Sequence, residues 1–172
     1  TIAIGACAAC ASVGESNVIV GNQAGKLTNK FTTLIGYQAG KGTFGCYNTG
    51  IGYNTIGGTG TEANAKYTTA VGSLSLNSLT GGDHNTGIGH FTLRQITKGA
   101  HNTAVGSNAL YGLSPLNSKN TAVGSFAGFN AQGQCNVFLG YYAGPTTWPT
   151  SVTGKLYINN NISDSPLIYG DF

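Results

Sequence analysis

The segments HNTAVGSNAL (residues 101–110) and KNTAVGSFAG (residues 119–128) share the six residues Asn-Thr-Ala-Val-Gly-Ser, eighteen positions apart. Self-similarity at a fixed period is typical of stacked repeat architectures. Aligning the chain on the Gly of this motif gives nine copies, 15 to 20 residues apart, with anchors at Gly5, Gly21, Gly36, Gly52, Gly72, Gly89, Gly106, Gly124 and Gly140. The copies occupy nearly all of residues 1–144, which predicts one repeat domain over that range.

The residues before each anchor predict one short strand per copy. The position directly before the Gly is always Ile, Val or Leu, and β-branched residues favour strands. Three positions before the Gly stands Thr in six copies and Ile or Val in the others. Because strand side chains alternate, these two columns share one face of the strand. We expect that face to line the core and the residue between the two columns to point outward.

A period near sixteen has room for two short segments and two turns, but not for a crossover helix. The copies must therefore stack as a parallel β-solenoid, which predicts an all-β fold of about nine coils. Asn, four positions before the anchor in six copies, is expected to hydrogen-bond up the stack. A small residue three positions after the anchor permits close approach of neighbouring chain, and the irregular segments 57–66 and 111–119 are expected to bulge outward.

Composition and charge exclude several classes of function. Only 8% of the residues are charged, and the net charge of +3 comes from scattered Lys and Arg with no basic run, which argues against a nucleic-acid partner. No apolar run reaches membrane-spanning length, so no membrane insertion is predicted. The chain begins at Thr1 and contains no Met, so we expect a processed product or a part of a longer polypeptide.

The Asn-Thr-Ala-Val-Gly copies resemble repeats in phage and viral tail-fibre proteins and, with Thr where the adhesin pattern has Val, the head repeats of trimeric autotransporter adhesins. The resemblance covers about 144 residues. The loops of this chain are longer and more irregular than those of the adhesin head, which favours the fibre proteins. It implies a left-handed parallel β-roll, assembled as a homotrimer, without enzymatic activity. It also implies an extracellular place, on a virion tail fibre or a cell surface, and attachment to a host through a glycan or protein receptor.

Residues 145–172 break the period and resemble the lead-in to a C-terminal chaperone or neck domain of such fibres. This short irregular segment has strand candidates in KLYIN and PLIYG, separated by an Asn-rich turn.

The column between the two presumed core columns contains no polar residue in any copy. Its side chains are expected to form an apolar stripe on the surface, which soluble monomers rarely expose over a large area. The resemblance to trimeric proteins implies that neighbouring copies of the chain bury this stripe. The predicted trimer interface therefore consists of Gly50, Ala70, Gly87, Ala104, Ala122 and Phe138.

Aromatic residues follow several anchors by one or two positions and are the candidate binding residues. Exposed rings offer flat apolar platforms for sugars, and packing between chains is an equally open interpretation. These residues are Tyr37, Tyr53, Phe91, Phe126, Tyr141 and Tyr142.

No cofactor, metal or catalytic site is predicted. The five acids stand alone along the chain, and His84 and His101, each five positions before an anchor, form either a structural turn pair or two ligands of a metal that lacks a third. Cys7, Cys10, Cys46 and Cys135 are interpreted as small, partly buried residues, with a disulfide or a metal site as the alternative. The alternatives to attachment are a passive spacer in a longer fibre, a glycan-cleaving or acyltransferase solenoid, and an ice-binding solenoid, although the Thr column is expected to face inward.

Overall fold

The computed structural model of the protein describes residues 1–11, 14–26, 30–42, 45–58, 64–147, 150–162 and 165–172, and none of these residues lies in a helix. They form thirteen short strands: β1 Ile2–Ile4, β2 Val18–Val20, β3 Thr33–Ile35, β4 Thr49–Ile51, β5 Thr69–Val71, β6 Thr86–Ile88, β7 Thr103–Val105, β8 Thr121–Val123, β9 Ala131–Gln132, β10 Val137–Leu139, β11 Thr150–Ser151, β12 Lys155–Ile158 and β13 Ile168–Asp171.

Each copy of the repeat contributes one strand to a single parallel sheet. Strands β1 to β8 and then β10 lie side by side in sequence order. Equivalent positions pair from coil to coil, so that Thr103 lies beside Thr121 and Val105 beside Val123. The all-β prediction is confirmed, and the chain is a parallel β-solenoid of about eight turns.

The C-terminal segment continues the same sheet. Strand β12 pairs in parallel with β10, and β13 returns antiparallel to β12 at the end of the sheet. The two strands predicted in KLYIN and PLIYG are therefore confirmed. A second sheet of two strands joins β9 to β11.

The strand faces are the reverse of the expected ones. The middle residue of each strand points into the solenoid: from the second copy of the repeat to the ninth this column is buried, and Ala104 and Phe138 have no exposed surface. The flanking columns point outward, and Ile88 is 41% exposed. The predicted interface residues Gly50, Ala70, Gly87, Ala104, Ala122 and Phe138 are thus buried within their own chain, and assigning them to a contact between chains was wrong.

The physical reason is that the core of most coils is filled from one of two positions six residues apart. Where the middle strand residue is large, as in Leu34, the later position is Gly40, and a Cβ there would lie 2.5 Å from Leu34 Cδ1. Where the strand residue is small, as in Ala104, the later position is the buried Leu110. The same exchange relates Ile19 to Gly25, Gly50 to Ile56, Ala70 to Leu76, Gly87 to Leu93 and Phe138 to Gly144.

A buried ladder of Asn side chains runs along one corner of the solenoid. Asn102 Oδ1 accepts from the backbone N–H of Asn120 at 3.0 Å and from Asn120 Nδ2 at 3.1 Å, and the pattern repeats from Asn85 to Asn102 and from Asn120 to Asn136. The predicted Asn column is confirmed. Each carboxamide satisfies a buried backbone N–H that the turn leaves without a sheet partner.

The small residues three positions after the anchor are buried in every copy of the repeat from the second to the ninth. Seven of these eight side chains are Ala or Thr, and the eighth, Ser75, donates or accepts a 2.7 Å hydrogen bond with Thr92 of the next coil. The close packing that was predicted for this column is present.

Candidate functional site

A cluster of rings lies on the wall of the solenoid that follows the anchor. Its members stand one, two or five positions after an anchor, on the four consecutive coils that begin at Gly89, Gly106, Gly124 and Gly140. We call it the ring cluster: Phe91, Arg94, Tyr111, Phe126, Phe129, Tyr141 and Tyr142. All members but the exposed Tyr141 are half-buried.

The rings of the cluster contact one another continuously from coil to coil. Phe91 meets Tyr111 edge-on at 6.0 Å between ring centroids, and Tyr111 stacks on Phe129 at 5.2 Å. Phe129 meets Phe126 edge-on at 5.4 Å, and Phe126 stacks on Tyr142 at 4.7 Å. Such aromatic pairs add stabilising free energy to that gained from burying apolar area. The rings therefore hold one another in place, and the cluster is a preorganised surface.

The backbone fixes these side chains in equivalent places. Every residue two positions after an anchor has a left-handed conformation, with φ of 56° at Phe91, 59° at Phe126 and 53° at Tyr142. Because successive coils are in register, side chains at equal distances from the anchor lie one coil apart, about 4.8 Å. This spacing brings aromatic rings on neighbouring coils into contact.

Arg94 is the one charged member of the ring cluster. Its guanidinium carbon lies 4.6 Å from the centroid of Phe91, and Nη1 donates a 2.8 Å hydrogen bond to Tyr111 Oη. Within the described part of the chain, the only ion pair joins Lys155 to Asp171. No carboxylate of those residues therefore neutralises Arg94.

The structure brings together four of the six predicted binding residues, Phe91, Phe126, Tyr141 and Tyr142. Tyr37 and Tyr53 lie elsewhere: they stack on each other at 5.7 Å on earlier coils. The sequence analysis missed Arg94, Tyr111 and Phe129. All three occupy the position five residues after an anchor, and aligning that column would have placed them on consecutive coils.

A second ladder of rings occupies the position five residues before the anchor. Phe31, Tyr47, Tyr67, His84 and His101 stack in that order, with centroids 4.9 to 5.1 Å apart. His84 and His101 are nearly parallel, 8° between planes and 5.0 Å apart. Lone pairs in parallel planes do not converge on one ion at the 2.0–2.1 Å of a Zn–N bond, which favours the structural turn pair. Residues of the described ranges include no group of three or more His, Cys, Asp or Glu arranged around a common point.

Two of the five acids have local structural contacts. Asp83 accepts a 2.9 Å hydrogen bond from the backbone N–H of Lys66, and Asp171 pairs with Lys155. Glu62 and Asp164 lie outside the described residues.

Cys7 and Cys10 are exposed and form a disulfide, with Cα atoms 4.9 Å apart. For these two cysteines the interpretation as small, partly buried residues was therefore wrong, and the alternative of a disulfide is confirmed. The bond forms across only two intervening residues because the chain turns sharply there, with left-handed backbone at Cys7 and Ala9. Cys46 and Cys135 are free.

The outward columns form a second candidate surface on the sheet. We call it the strand-face stripe: the residues three positions and one position before each anchor. In its central six coils it consists of Thr33, Thr49, Thr69, Thr86, Thr103 and Thr121 beside Ile35, Ile51, Val71, Ile88, Val105 and Val123. The expectation that the Thr hydroxyls lie inside the solenoid was wrong, because these side chains share the outward face.

The loop segment 111–119 lies partly on the surface, where Leu116 is 68% exposed, and much of the segment 57–66 lies outside the described residues. Across the described ranges, no helix is long and apolar enough to cross a membrane.

No protein-family model matches the chain, and the searches of curated proteins and of solved structures found no significant match.

Proposed function

We propose that this chain is a non-enzymatic attachment domain of an extracellular fibre, on a virion tail or a cell surface. In this proposal three copies assemble as a homotrimer of left-handed β-rolls of about nine coils. The strand-face stripe packs between the copies, and the ring cluster contacts a glycan or protein receptor on the host surface.

The observation that carries the trimer is the exposure of aliphatic side chains along the whole sheet. Ile35 and Ile51 are each 37% exposed, Val123 is 39% exposed and Leu139 is 44% exposed. Soluble proteins rarely leave a continuous apolar patch of more than a few hundred Å² open to water. A second and a third copy of the same chain supply a matching surface with the same repeat, which favours closed cyclic assembly.

The ring cluster supports attachment because it lies on a different segment of each coil from the stripe. The stripe occupies the positions three and one before the anchor, whereas the cluster occupies positions one, two and five after it. Aromatic rings with partly open faces suit the apolar faces of sugars, and Tyr and Arg are enriched where proteins recognise partners.

The proposal is tested by combining the oligomeric state with binding. Light scattering is expected to give a trimer, and binding to a glycan array and a panel of bacterial and eukaryotic cells is expected to fall in the Phe126→Ala/Tyr141→Ala variant. Tyr37→Ala/Tyr53→Ala removes the aromatic pair outside the cluster and serves as the matched control. A trimer that binds none of the glycans or cells identifies a passive spacer. Binding that neither variant reduces excludes the ring cluster as the receptor site, and a monomer contradicts the assembly.

The outward Thr column supports a second candidate, an ice-binding surface. Thr repeats beside Thr about every 4.8 Å across the sheet, and Ile or Val follows each Thr about 6.6 Å further along its strand, which gives a regular array of hydroxyl and methyl groups. Thermal hysteresis of the purified chain tests this candidate. Hysteresis that Thr86→Lys/Thr103→Lys abolishes would assign the stripe to ice instead of to a second copy.

A further inference from the structure

We infer that the ring cluster binds a carboxylate-bearing sugar, with Arg94 as the residue that holds its carboxylate. This inference rests on the proposed attachment function and names the chemical class of the receptor group. It begins from the only charge in the cluster.

Arg94 is positioned for an anionic ligand. Tyr111 Oη, 2.8 Å from Nη1, and the face of Phe91, 4.6 Å from Cζ, hold the guanidinium in one place. One of its five N–H donors has a partner among the described residues, and no carboxylate there opposes the charge. A planar guanidinium with several free donors matches a carboxylate in bidentate geometry.

The surroundings of Arg94 fit a pyranose rather than a small anion. Phe91 and Tyr111 are only half-buried, so part of each ring faces solvent beside the guanidinium. Polar groups border the rings: Asn108 and Ser107 lie between the coils of Phe91 and Phe126 and are joined by a 3.1 Å hydrogen bond. Aromatic carbon for the apolar face of a sugar, amide and hydroxyl groups for its hydroxyls, and one cation for its acid group thus occur together.

The experiment measures binding of four probes to the intact chain by calorimetry: 3′-sialyllactose and trigalacturonate as acidic sugars, and lactose and maltotriose as neutral ones. We expect an acidic probe to bind, and we expect Arg94→Gln to lower its affinity about tenfold or more. Arg94→Lys should also lower the affinity, because Lys lacks the planar guanidinium that binds a carboxylate with two parallel hydrogen bonds. Lys98→Gln removes the same charge from an exposed residue outside the cluster and is expected to leave the affinity unchanged. Thermal unfolding of each variant checks that the fold is intact.

The arms of the experiment separate the outcomes. Binding of sialyllactose alone assigns a sialic-acid type of sugar, binding of trigalacturonate alone assigns a uronic acid, and binding of both supports the shared carboxylate chemistry. Equal affinity for neutral and acidic probes, or no effect of Arg94→Gln, overturns the inference but leaves attachment standing. The inference is also overturned if no probe binds while Phe126→Ala/Tyr141→Ala still reduces cell binding. If the chain binds neither cells nor any of the sugar probes, the proposed attachment function is contradicted as well.

Discussion

At the scale of the residue, left-handed backbone recurs in every coil. Non-glycine residues with φ near 55° stand five positions before and two positions after the anchor, as at His101 and Asn108. Each such residue costs about 1 kcal/mol or more relative to right-handed backbone. The anchor itself lies further from the common regions, with φ of 125° at Gly106. Stacking in register offsets these penalties, since every coil repeats the same turn on its neighbour.

The anchor glycines are expected to be irreplaceable. A Cβ on Gly106 would lie 2.6 Å from the carbonyl carbon and oxygen of Gly124 in the next coil. Gly106→Ala is therefore predicted to destabilise the fold by at least about 3 kcal/mol in chemical denaturation. Gly81→Ala is the matched control, because the nearest atom to its Cβ would be Lys98 Cγ at 3.7 Å. Similar stabilities of the two variants would contradict this account of the motif.

One buried hydroxyl is predicted to be dispensable. Among the described residues, Thr55 Oγ1 is the buried side-chain polar atom without a hydrogen-bond partner. Thr92, the equivalent residue two coils on, bonds to Ser75 at 2.7 Å. Thr55→Val is expected to be neutral or to stabilise by up to about 1 kcal/mol, whereas Thr92→Val is expected to destabilise by about 1–2 kcal/mol. The midpoints of urea unfolding of the two variants, each compared with the wild type, measure these changes in stability. A Thr55→Val variant less stable than Thr92→Val would contradict the prediction.

At the scale of the element, a three-residue strand contributes little to its own stability, and the coil is the unit that packs. Side chains from the strand and from the turn six residues later meet in one narrow core, so their volumes are complementary. This explains why strands with Gly or Ala in the middle, such as β6 and β7, coexist with β3 and its Leu34. The turn residue supplies the missing volume in one case and is Gly in the other.

Complementary volume predicts a specific coupling within one coil. Leu110→Gly leaves a cavity and should cost about 4 kcal/mol or more, and Ala104→Leu overfills the core and should cost about 1–3 kcal/mol. The double variant reproduces the Leu34 and Gly40 arrangement of another coil. It is expected to recover at least about 1 kcal/mol relative to the sum of the single effects in a double-mutant cycle. Strict additivity would show that the two positions do not share the same space.

At the scale of the whole molecule, the solenoid is a rod with different chemistry on its sides. The sheet carries the apolar strand-face stripe, the wall after the anchor carries the ring cluster, and the corner before the strand carries the ladder from Phe31 to His101. The low charge density follows from this distribution, because much of each coil is either core or a surface of aromatic, aliphatic and Thr side chains.

The stripe and the core are predicted to respond oppositely to charge. Val105→Asp/Val123→Asp should leave the monomer folded, as judged by circular dichroism, but abolish the proposed trimer in light scattering, because the charges lie on the outward face. Ala104→Lys should prevent folding, since its side chain would enter a core without a partner for the charge. Gln95→Glu/Gln134→Glu adds the same negative charge at exposed positions away from the stripe and should remain trimeric. An unfolded Val105→Asp/Val123→Asp variant would contradict the outward assignment.

The sequence by itself determined the architecture of this protein. The anchor spacing predicted one strand per copy and parallel stacking, the Asn column predicted the ladder, and the local patterns in KLYIN and PLIYG predicted the two C-terminal strands. These features depend on local backbone preference and on the period, both readable along the chain. The ring cluster was found only in part, since Tyr111 and Phe129 join it through contacts between coils.

Only the tertiary structure decided which face of the strand is inside. Alternation with a period of two is unchanged when the faces are exchanged, and Thr, Val and Ile in the outer columns carry more apolar carbon than Gly50 or Ala104. The core of this solenoid is completed by residues such as Ile56 and Leu110, which lie six positions further along the chain. Burial therefore depends on the summed volume inside a coil, a property that no single column of the repeat contains.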